Sequence, residues 1–367
     1  MQKPKDKPKP SAELTGKTLL LVNSGYRRKE FILKRIQELG CKIVLLNKEE
    51  NWAQKYADDL ILADTNNHAE SLEAVRRYAQ GEAIDGVITF WEDDVLLCSK
   101  IVDMLDLPGI PFRIARTARN KYLFREFCQE AGIPAPQHRM ISSETDIDYV
   151  MNKFAFPIIV KPVYGSSSVL VVKVEKKSDL PKVVRYVAEN ISEKMESALT
   201  NGIQIFAEEY LEGQEVDIDM LLQNGKVKFY SITDNNPTDE PFFVETGDSI
   251  PSSLSEEAQE KLADMAEQTL EKLGVQQGCM HFEAKWTKRG PFPIEVNLRM
   301  GGDYIHSFIK GCWGVDLVEY AVKIALGMYI KPQKPEQPLQ YLKGQHFLSD
   351  HSGVLVELSV DEELYKK

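Results

Sequence analysis

A chain of 367 residues has ample material for a large core and by length divides into two or three domains. Its hydrophobic content of 43% and charged content of 28% are ordinary for a globular protein, and a net charge of -11 leaves no basic excess to neutralise a phosphate backbone, which excludes a general nucleic-acid binder. An acidic chain can still hold a single nucleotide locally. The five cysteines, Cys41, Cys98, Cys128, Cys279 and Cys312, are odd in number and lack C-x-x-C spacing, so reduced core thiols are expected rather than a disulfide framework or a zinc site. No stretch approaches the roughly 18 apolar residues of a membrane span, and the start, MQKPKDKPKPSAELTGK, has no apolar signal-peptide core. The expectation is a cytoplasmic protein, without a membrane partner, whose first 15 residues are a flexible tail.

From Lys17 the chain reads TLLLV, a helix closing at Gly40, then CKIVLLN. DGVITF, at residues 85–90, is a further strand, and the helical spacing of Val95, Leu96, Ile101 and Leu105 follows it. This β-α repetition predicts an α/β domain with an open, largely parallel sheet over residues 16–113. Gly25 is the only glycine of its first turn, so the dinucleotide fingerprint is absent. Glu92 and Asp93 fall just beyond the carboxyl end of a strand, where such sheets bind ligands; they are read as solvated helix-cap acids, the simpler alternative.

The pattern then changes. TARNKYLFREFCQEAGIPAPQ predicts one helix through Ala131, closed by Gly132 and Pro134. FAFPIIVKPVYGSSSVLVVKV predicts two strands joined by a loop containing Gly165, Ser166, Ser167 and Ser168, with Lys161 ending the first strand. Backbone N–H groups and hydroxyls on such a loop, beside a lysine, suit anionic oxygens; a plain hairpin connection is the competing reading. A helix over residues 180–198 closes this segment, residues 114–200.

A third segment, residues 201–330, opens with a strand at residues 203–207 that runs into Glu208, Glu209, Tyr210 and Leu211. Two more strands flank Asn224-Gly225, a strong hairpin signal. On the first of them Glu215, Asp217 and Asp219 alternate with apolar residues, an acidic face suited either to ribose hydroxyls or to water. DNNPTDEPFFVETGDSIPSS, which carries Glu245, is long and rich in turn formers, as functional lids are. SEEAQEKLADMAEQTLEKLG follows as a helix capped by Ser255 or Ser253 and stopped at Gly274. VDLVEYAVKIALG closes the segment as a helix, and residues 331–367 form a Pro/Gln-rich extension ending in a short strand at residues 353–358.

The chemistry concentrates between these helices. In MHFEAKW and PFPIEVNLRMGGD, His281, Glu283, Lys285, Glu295, Asn297 and Arg299 alternate with apolar residues, so each segment reads as a strand with one polar face. A hairpin centred near Arg289 sets Glu283 opposite Glu295 and His281 opposite Asn297. Opposed like charges about 5 Å apart are destabilising. A hard divalent cation between them, with Asn297 as a neutral oxygen donor, would compensate, and this suits Mg²⁺ held by few protein oxygens plus phosphates. A wet polar face is the competing reading. Arg299 leaves the same face toward Gly301 and Gly302, where missing side chains admit a ligand.

In order, NKYLFREFCQEAGIPAP, FPIIVKPVYGSSSVLVV, AEEYLEGQEVD, HFEAKW and PIEVNLRMGGDYI resemble the ATP-grasp superfamily, specifically its carboxylate-amine ligases and most closely the L-amino-acid ligases that make dipeptides. The resemblance spans roughly residues 16–330. It implies a fold of classes α/β and α+β, in which the N-terminal open parallel-sheet domain precedes an ATP-grasp fold of two α+β subdomains with ATP between them. Lys121 and Lys161 would contact phosphates and the Gly165–Ser168 loop would close over them. Glu208, Glu209, Tyr210 and Leu211 would form the adenine hinge through backbone groups, with Glu215 on the ribose. Glu283, Glu295 and Asn297 would bind one or two Mg²⁺, for which Mn²⁺ could substitute. Arg299 would hold the carboxylate and its acyl phosphate, Gly301, Gly302 and Asp303 would line the substrate pocket, and Glu245 would face the second substrate. Asp303 is assigned by its charge to an amino group.

The implied reaction activates a small carboxylate as an acyl phosphate, and an amine then displaces phosphate to leave an amide. A homodimer is compatible with such a fold, and the identities of acid and amine stay open. The rival enzyme reading is the biotin-carboxylase or purine-synthesis branch, which activates bicarbonate or glycine. A non-catalytic ATP-binding module is the rival from another class, and it predicts a lost metal ligand or a lost arginine.

Overall fold

The computed structural model describes residues 14–192, 203–238 and 240–346, together with residues 353, 354, 357 and 359. The first unit runs β1 (Thr18–Val22), α1 (Glu30–Leu39), β2 (Lys42–Asn47), β3 (Asp59–Leu62), α2 (His68–Ala79), β4 (Gly86–Ile88) and α3 (Val95–Leu105). Its strands form the expected parallel sheet, in the order β3-β2-β1-β4. The β3-α2 pair goes beyond the sequence reading. β3 is an edge strand with a single buried side chain, Ile61, which leaves no periodic signal.

The one helix expected through Ala131 is two, α4 (Phe112–Arg119) and α5 (Lys121–Glu130). Asn120 separates them with an extended backbone (φ -86°, ψ 103°), and its side chain accepts from the Leu123 N–H at 2.8 Å, capping α5. Lys121 therefore starts a helix, with its own N–H bonded to Val163 O at 3.0 Å. Then follow β5 (His138–Ile141), α6 (Glu144–Lys153), β6 (Ile158–Pro162), β7 (Val172–Val174), α7 (Leu180–Asn190) and β8 (Ile205–Glu209), giving an antiparallel sheet β5-β8-β6-β7. β5 and α6 were not read from the sequence. α7 ends at Asn190, and residues 193–198 of the expected helix lie outside the described residues.

The third unit contains β9 (Gly213–Gln223), β10 (Lys226–Asn235), β11 (Asp248–Ile250), α8 (Glu256–Leu273), β12 (Gln277–Thr287), β13 (Gly290–Asn297), α9 (Ile305–Trp313), α10 (Leu317–Ala325) and β14 (Leu342–Lys343). Its sheet is antiparallel in the order β13-β12-β9-β10-β11-β14. Asn224 and Gly225 turn the β9-β10 hairpin with positive φ at both positions, and Ser255 caps α8. The Pro/Gln-rich extension does more than connect: β14 adds an edge strand to β11. The strand expected at residues 353–358 falls largely outside the described residues.

Packing places the site. Leu20 and Val22 of β1 share a buried cluster with Val75 of α2 and with Leu97 and Ile101 of α3. Leu19 and Leu21 point the other way, into a cluster with α1 and with Leu317, Val318, Ala321 and Val322 of α10. That cluster also holds Leu221 of β9 and Cys279 of β12, so α10 wedges the first sheet against the third. Arg35 of α1 pins the wedge with ion pairs to Asp316 (3.0 Å) and Glu319 (2.7 Å). The carboxyl ends of β1 and β4 are thereby held over the polar face of β12 and β13. Four of the cysteines are buried and all five are free thiols. Among the described residues no helix is long and apolar enough to cross a membrane.

Candidate active site

The β12-β13 hairpin has the expected register at its functional end and a different one at its turn. Glu283 pairs with Glu295 and His281 with Asn297, while nearer the turn Ala284 pairs with Pro293 and Thr287 with Gly290. A bulge between the two registers inserts Ile294 as an extra residue. Ile294 was expected on the apolar face with Val296; instead it lines the same pocket as Glu295 and Asn297. The tight turn and the bulge together reproduce the pairing that a looser turn would have given.

Between the second and third sheets lies a pocket lined by Lys121, Lys161, Gly165, Ser166, Ser167, Ser168, Glu208, Glu209, Tyr210, Leu211, Glu215, Glu245, Glu283, Glu295, Asn297 and Arg299. It thus brings together every residue to which the ATP-grasp resemblance gave a role except Gly301, Gly302 and Asp303. Ser167 and Ser168 take left-handed φ values of 52° and 54° in the loop between β6 and β7, and Gly165 a φ of 140°. Loops of this kind expose successive N–H groups to anions, and non-glycine residues held at positive φ cluster at ligand clamps.

Each cation of the pocket is positioned by a carboxylate. Lys161 Nζ lies 2.5 Å from Glu208 Oε1, and Arg125 Nε lies 2.8 Å from Glu208 Oε2. Burial opposes ionisation of Glu208, yet Arg125 and Lys161 hold its carboxyl down at about 2. The Lys161 ammonium is itself lowered, mainly by burial. Lys121 Nζ donates to Gly165 O at 2.6 Å and pairs with Glu295 Oε2 at 2.8 Å, joining the Ser-rich loop to the carboxylate pair. The four residues expected to form a hinge do not share one setting. Glu208 sits inside the β5-β8-β6 ladder and the Glu209 N–H is bonded to Gln137 O, so Tyr210 and Leu211, beyond the end of β8, are the segment outside the ladder. Glu215 faces Lys285 at 3.3 Å.

Glu283 and Glu295 carry opposite perturbations. Burial and then the Glu295 charge push the Glu283 carboxyl far up, whereas Glu295, despite its burial, is held down by Lys121 and Arg119. Asn297 Nδ2 donates to Glu283 Oε1 at 3.1 Å. Among the described residues no cluster of three or more His, Cys, Asp or Glu side chains forms a ready-made metal cage. Two carboxylates and an amide oxygen on one pocket wall are nevertheless a fitting donor set for a hard cation that takes its remaining ligands from phosphates and water.

Glu92 was read as a solvated cap acid, and here the structure corrects the sequence. Its side chain is buried, 3.1 Å from Arg119 Nε and 2.7 Å from Arg299 Nε. Arg299 Nη1 also donates to Met300 O at 2.8 Å. The pairing could not be found from spacing, because Glu92, Arg119 and Arg299 come from three stretches that only the packing of α4 against α3 and β13 brings together. Glu92→Gln is expected to destabilise the fold by about 3–5 kcal/mol, because it leaves two buried guanidinium groups without their shared counter-charge. Thermal denaturation measures this, and an unchanged midpoint would remove Glu92 from its structural role.

A second, wider cleft adjoins the pocket, walled by Ser24, Tyr26, Arg28 and Trp91 from the first unit and by Glu245, Asp248, His281, Gly302 and Asp303 from the third. Gly302 and Asp303, expected in a substrate pocket, border this cleft. Gly301 does not: it is packed beneath the cleft, where a Cβ would come within 2.8 Å of His281 Nδ1 and Ile305 Cγ2 and 2.9 Å of Asp219 Oδ1. Gly301→Ala is therefore expected to cost about 1–3 kcal/mol in the same denaturation measurement through overpacking. His281 is buried between Asp217 (3.8 Å) and Asp219 (3.1 Å), and although burial opposes its charge, the two acids raise its pKa to about 10. The sequence reading placed these three residues on polar strand faces without linking them.

The fold and this pair of cavities define a nucleotide-binding protein of the ATP-grasp type. The chain belongs to the ATP-grasp superfamily: it matches the ATP-grasp N-terminal domain over residues 34–109 and the ATP-grasp domain over residues 154–307. Carnosine synthase 1 of Homo sapiens is 28% identical over 345 residues, covering 89% of this chain and 41% of that protein. Alanine–anticapsin ligase of Bacillus subtilis is 26% identical over 271 residues, covering 70% of this chain and 57% of that protein. The crystal structure of L-amino acid ligase from Bacillus licheniformis superposes with a TM-score of 0.79 at 25% identity, covering 96% of this chain and 85% of that one. The chain spans less than half the length of the carnosine synthases it matches.

Proposed function

We propose that this protein is an ATP-dependent carboxylate-amine ligase that joins two small substrates, amino acids in the first instance, through an acyl phosphate, releasing ADP and phosphate. The observation that carries this reading is the convergence of Lys121, Lys161, Glu283, Glu295, Asn297 and Arg299 on one pocket that opens, past Arg299, into the wider cleft. Similarity to the alanine–anticapsin and L-amino acid ligases supports the amino-acid class over bicarbonate.

In this reading the nucleotide lies with its base at Tyr210 and Leu211, its ribose at Glu215 and its phosphates under the Gly165–Ser168 loop. Lys121 and Lys161 would neutralise phosphate charge, and Glu283, Glu295 and Asn297 would hold Mg²⁺. The bound ion would supply charge neutralisation on the transferring phosphoryl group. Phosphoryl transfer asks mainly for positioning and electrostatics, which these groups provide. Arg299 holds the substrate carboxylate in line and then meets the negative charge that builds when the amine attacks. The Ser-rich loop and the Glu245 segment exclude water, which would otherwise hydrolyse the intermediate.

The test is a phosphate-release screen over pairs of amino acids and small carboxylates, with bicarbonate as a separate arm. Release that requires one amino acid as acid and another as amine, with amide product in the mass spectrum, is the expected result. Release with bicarbonate alone would move the protein to the rival branch, and none with any pair would leave an ATP-binding module.

A further inference from the structure

The two walls of the wider cleft are chemically unequal. On the third-unit side stand Asp217, Glu245, Asp248 and Asp303. His281 faces Asp217, and Arg28 of the first unit pairs with Asp303 at 3.3 Å. Among the described residues neither Glu245 nor Asp248 is paired with a cationic side chain. Lys29 does not reach them: its ammonium donates to Phe90 O at 2.6 Å and lies 4.1 Å from the centre of the Trp91 ring. Burial pushes the Asp248 carboxyl up, with Asp303 adding to the rise and His346 opposing it, as expected where carboxylates crowd without enough cations.

A second observation comes from the floor of the cleft. Asp217 is only 6% exposed and borders the cleft. Its Oδ1 accepts from Asn235 Nδ2 at 3.2 Å, which leaves Oδ2 without a hydrogen bond among the described residues. Asn235 also borders the cleft, and its Oδ1 is a buried acceptor with no donor. Buried acceptors of this kind are costly unless a donor arrives. The demand is for N–H groups bearing positive charge: acceptors at the floor and uncompensated carboxylates on the wall above.

We propose that the amine-side substrate carries a cationic side chain, an ammonium of the lysine or ornithine type, which Glu245 and Asp248 attract and which Asp217 and Asn235 hydrogen-bond. This rests on the ligase reading and specifies its second substrate. An ammonium offers three donors, enough for the floor acceptors and one wall carboxylate together. The acid-side substrate is served separately by Arg299, with Asp303 for its own amino group.

The experiment measures phosphate release by the full chain with ATP and Mg²⁺. Lysine, norleucine and glutamate are compared as amines of similar length against every acid that supports release. Lysine is expected to exceed norleucine by about tenfold in kcat/KM, with glutamate weaker than both. In the Glu245→Gln/Asp248→Asn variant the lysine preference should collapse through a rise in KM for lysine, while KM for ATP stays within about twofold, a split that general damage to the fold would not produce. Norleucine or glutamate matching lysine, or a preference that survives the double substitution, overturns the proposal. Absence of release with every pair overturns the ligase reading itself, and the substrate assignment with it.

Discussion

Arg299→Ala is expected to lower amide formation by about 10²–10³-fold while leaving ATP affinity within about twofold, since an oxyanion donor is worth that much and contributes only once charge develops. The guanidinium is fixed in advance: Glu92 Oε2 forms an ion pair with it 2.7 Å from Nε, Nη1 donates to Met300 O at 2.8 Å, and the side chain is 12% exposed. Its remaining N–H groups are thus available to the substrate carboxylate and its acyl phosphate. The nucleotide contacts proposed above come from other residues. The fold should tolerate the loss, because Glu92 keeps Arg119 as a partner at 3.1 Å. Kinetics of amide formation together with equilibrium binding of ATP decide the matter. A loss of nucleotide affinity as large as the loss of turnover would place Arg299 in nucleotide binding instead.

Glu295→Gln is expected to reduce Mg²⁺-dependent turnover below about one thousandth, since charge neutralisation of the phosphates is most of what this chemistry needs from the protein. Glu295 is the member of the carboxylate pair held low, against its burial, by Lys121 and Arg119, and Glu283 is the member driven up by burial and by Glu295. A cation held by the two would offset the repulsion that, together with burial, pushes the Glu283 carboxyl up. Removing the Glu295 charge takes the anionic donor from the carboxylate pair and leaves Lys121 without its counter-charge. Thermal shift supplies the second readout: MgADP should stabilise the unaltered protein by several degrees and the variant much less. Undiminished turnover in the variant would refute the hairpin metal site.

Arg299 and the glutamate pair were legible in the sequence because their message is local. Alternation along two adjacent strands fixes which residues share a face, and Glu283 opposite Glu295 follows from one turn, even though the structure reaches that register by a tight turn plus the Ile294 bulge. Lys161 and the Ser-rich loop were legible for the same reason. The break at Asn120 was not, because an asparagine inside a helical pattern becomes a boundary only when its side chain finds the Leu123 N–H and Lys121 is drawn to Val163 O.

By itself, the sequence determined the parallel strand-helix order of the first unit, the hairpins at Asn224-Gly225 and at β12-β13, and the polar residues that line the pocket. All of these depend on periodicity, caps and turns within about twenty residues of one another. Tertiary structure alone decided that Glu92 is an ion-pair partner of Arg119 and Arg299, that Gly301 lies under the cleft rather than in it, and that His281 is gripped by Asp217 and Asp219. The physical reason is common to the three. Whether a charged group is solvated or buried depends on which distant elements meet, α4 with α3 and β13 around Glu92 and β9 beside β12 around His281, and local patterning carries no information about those meetings.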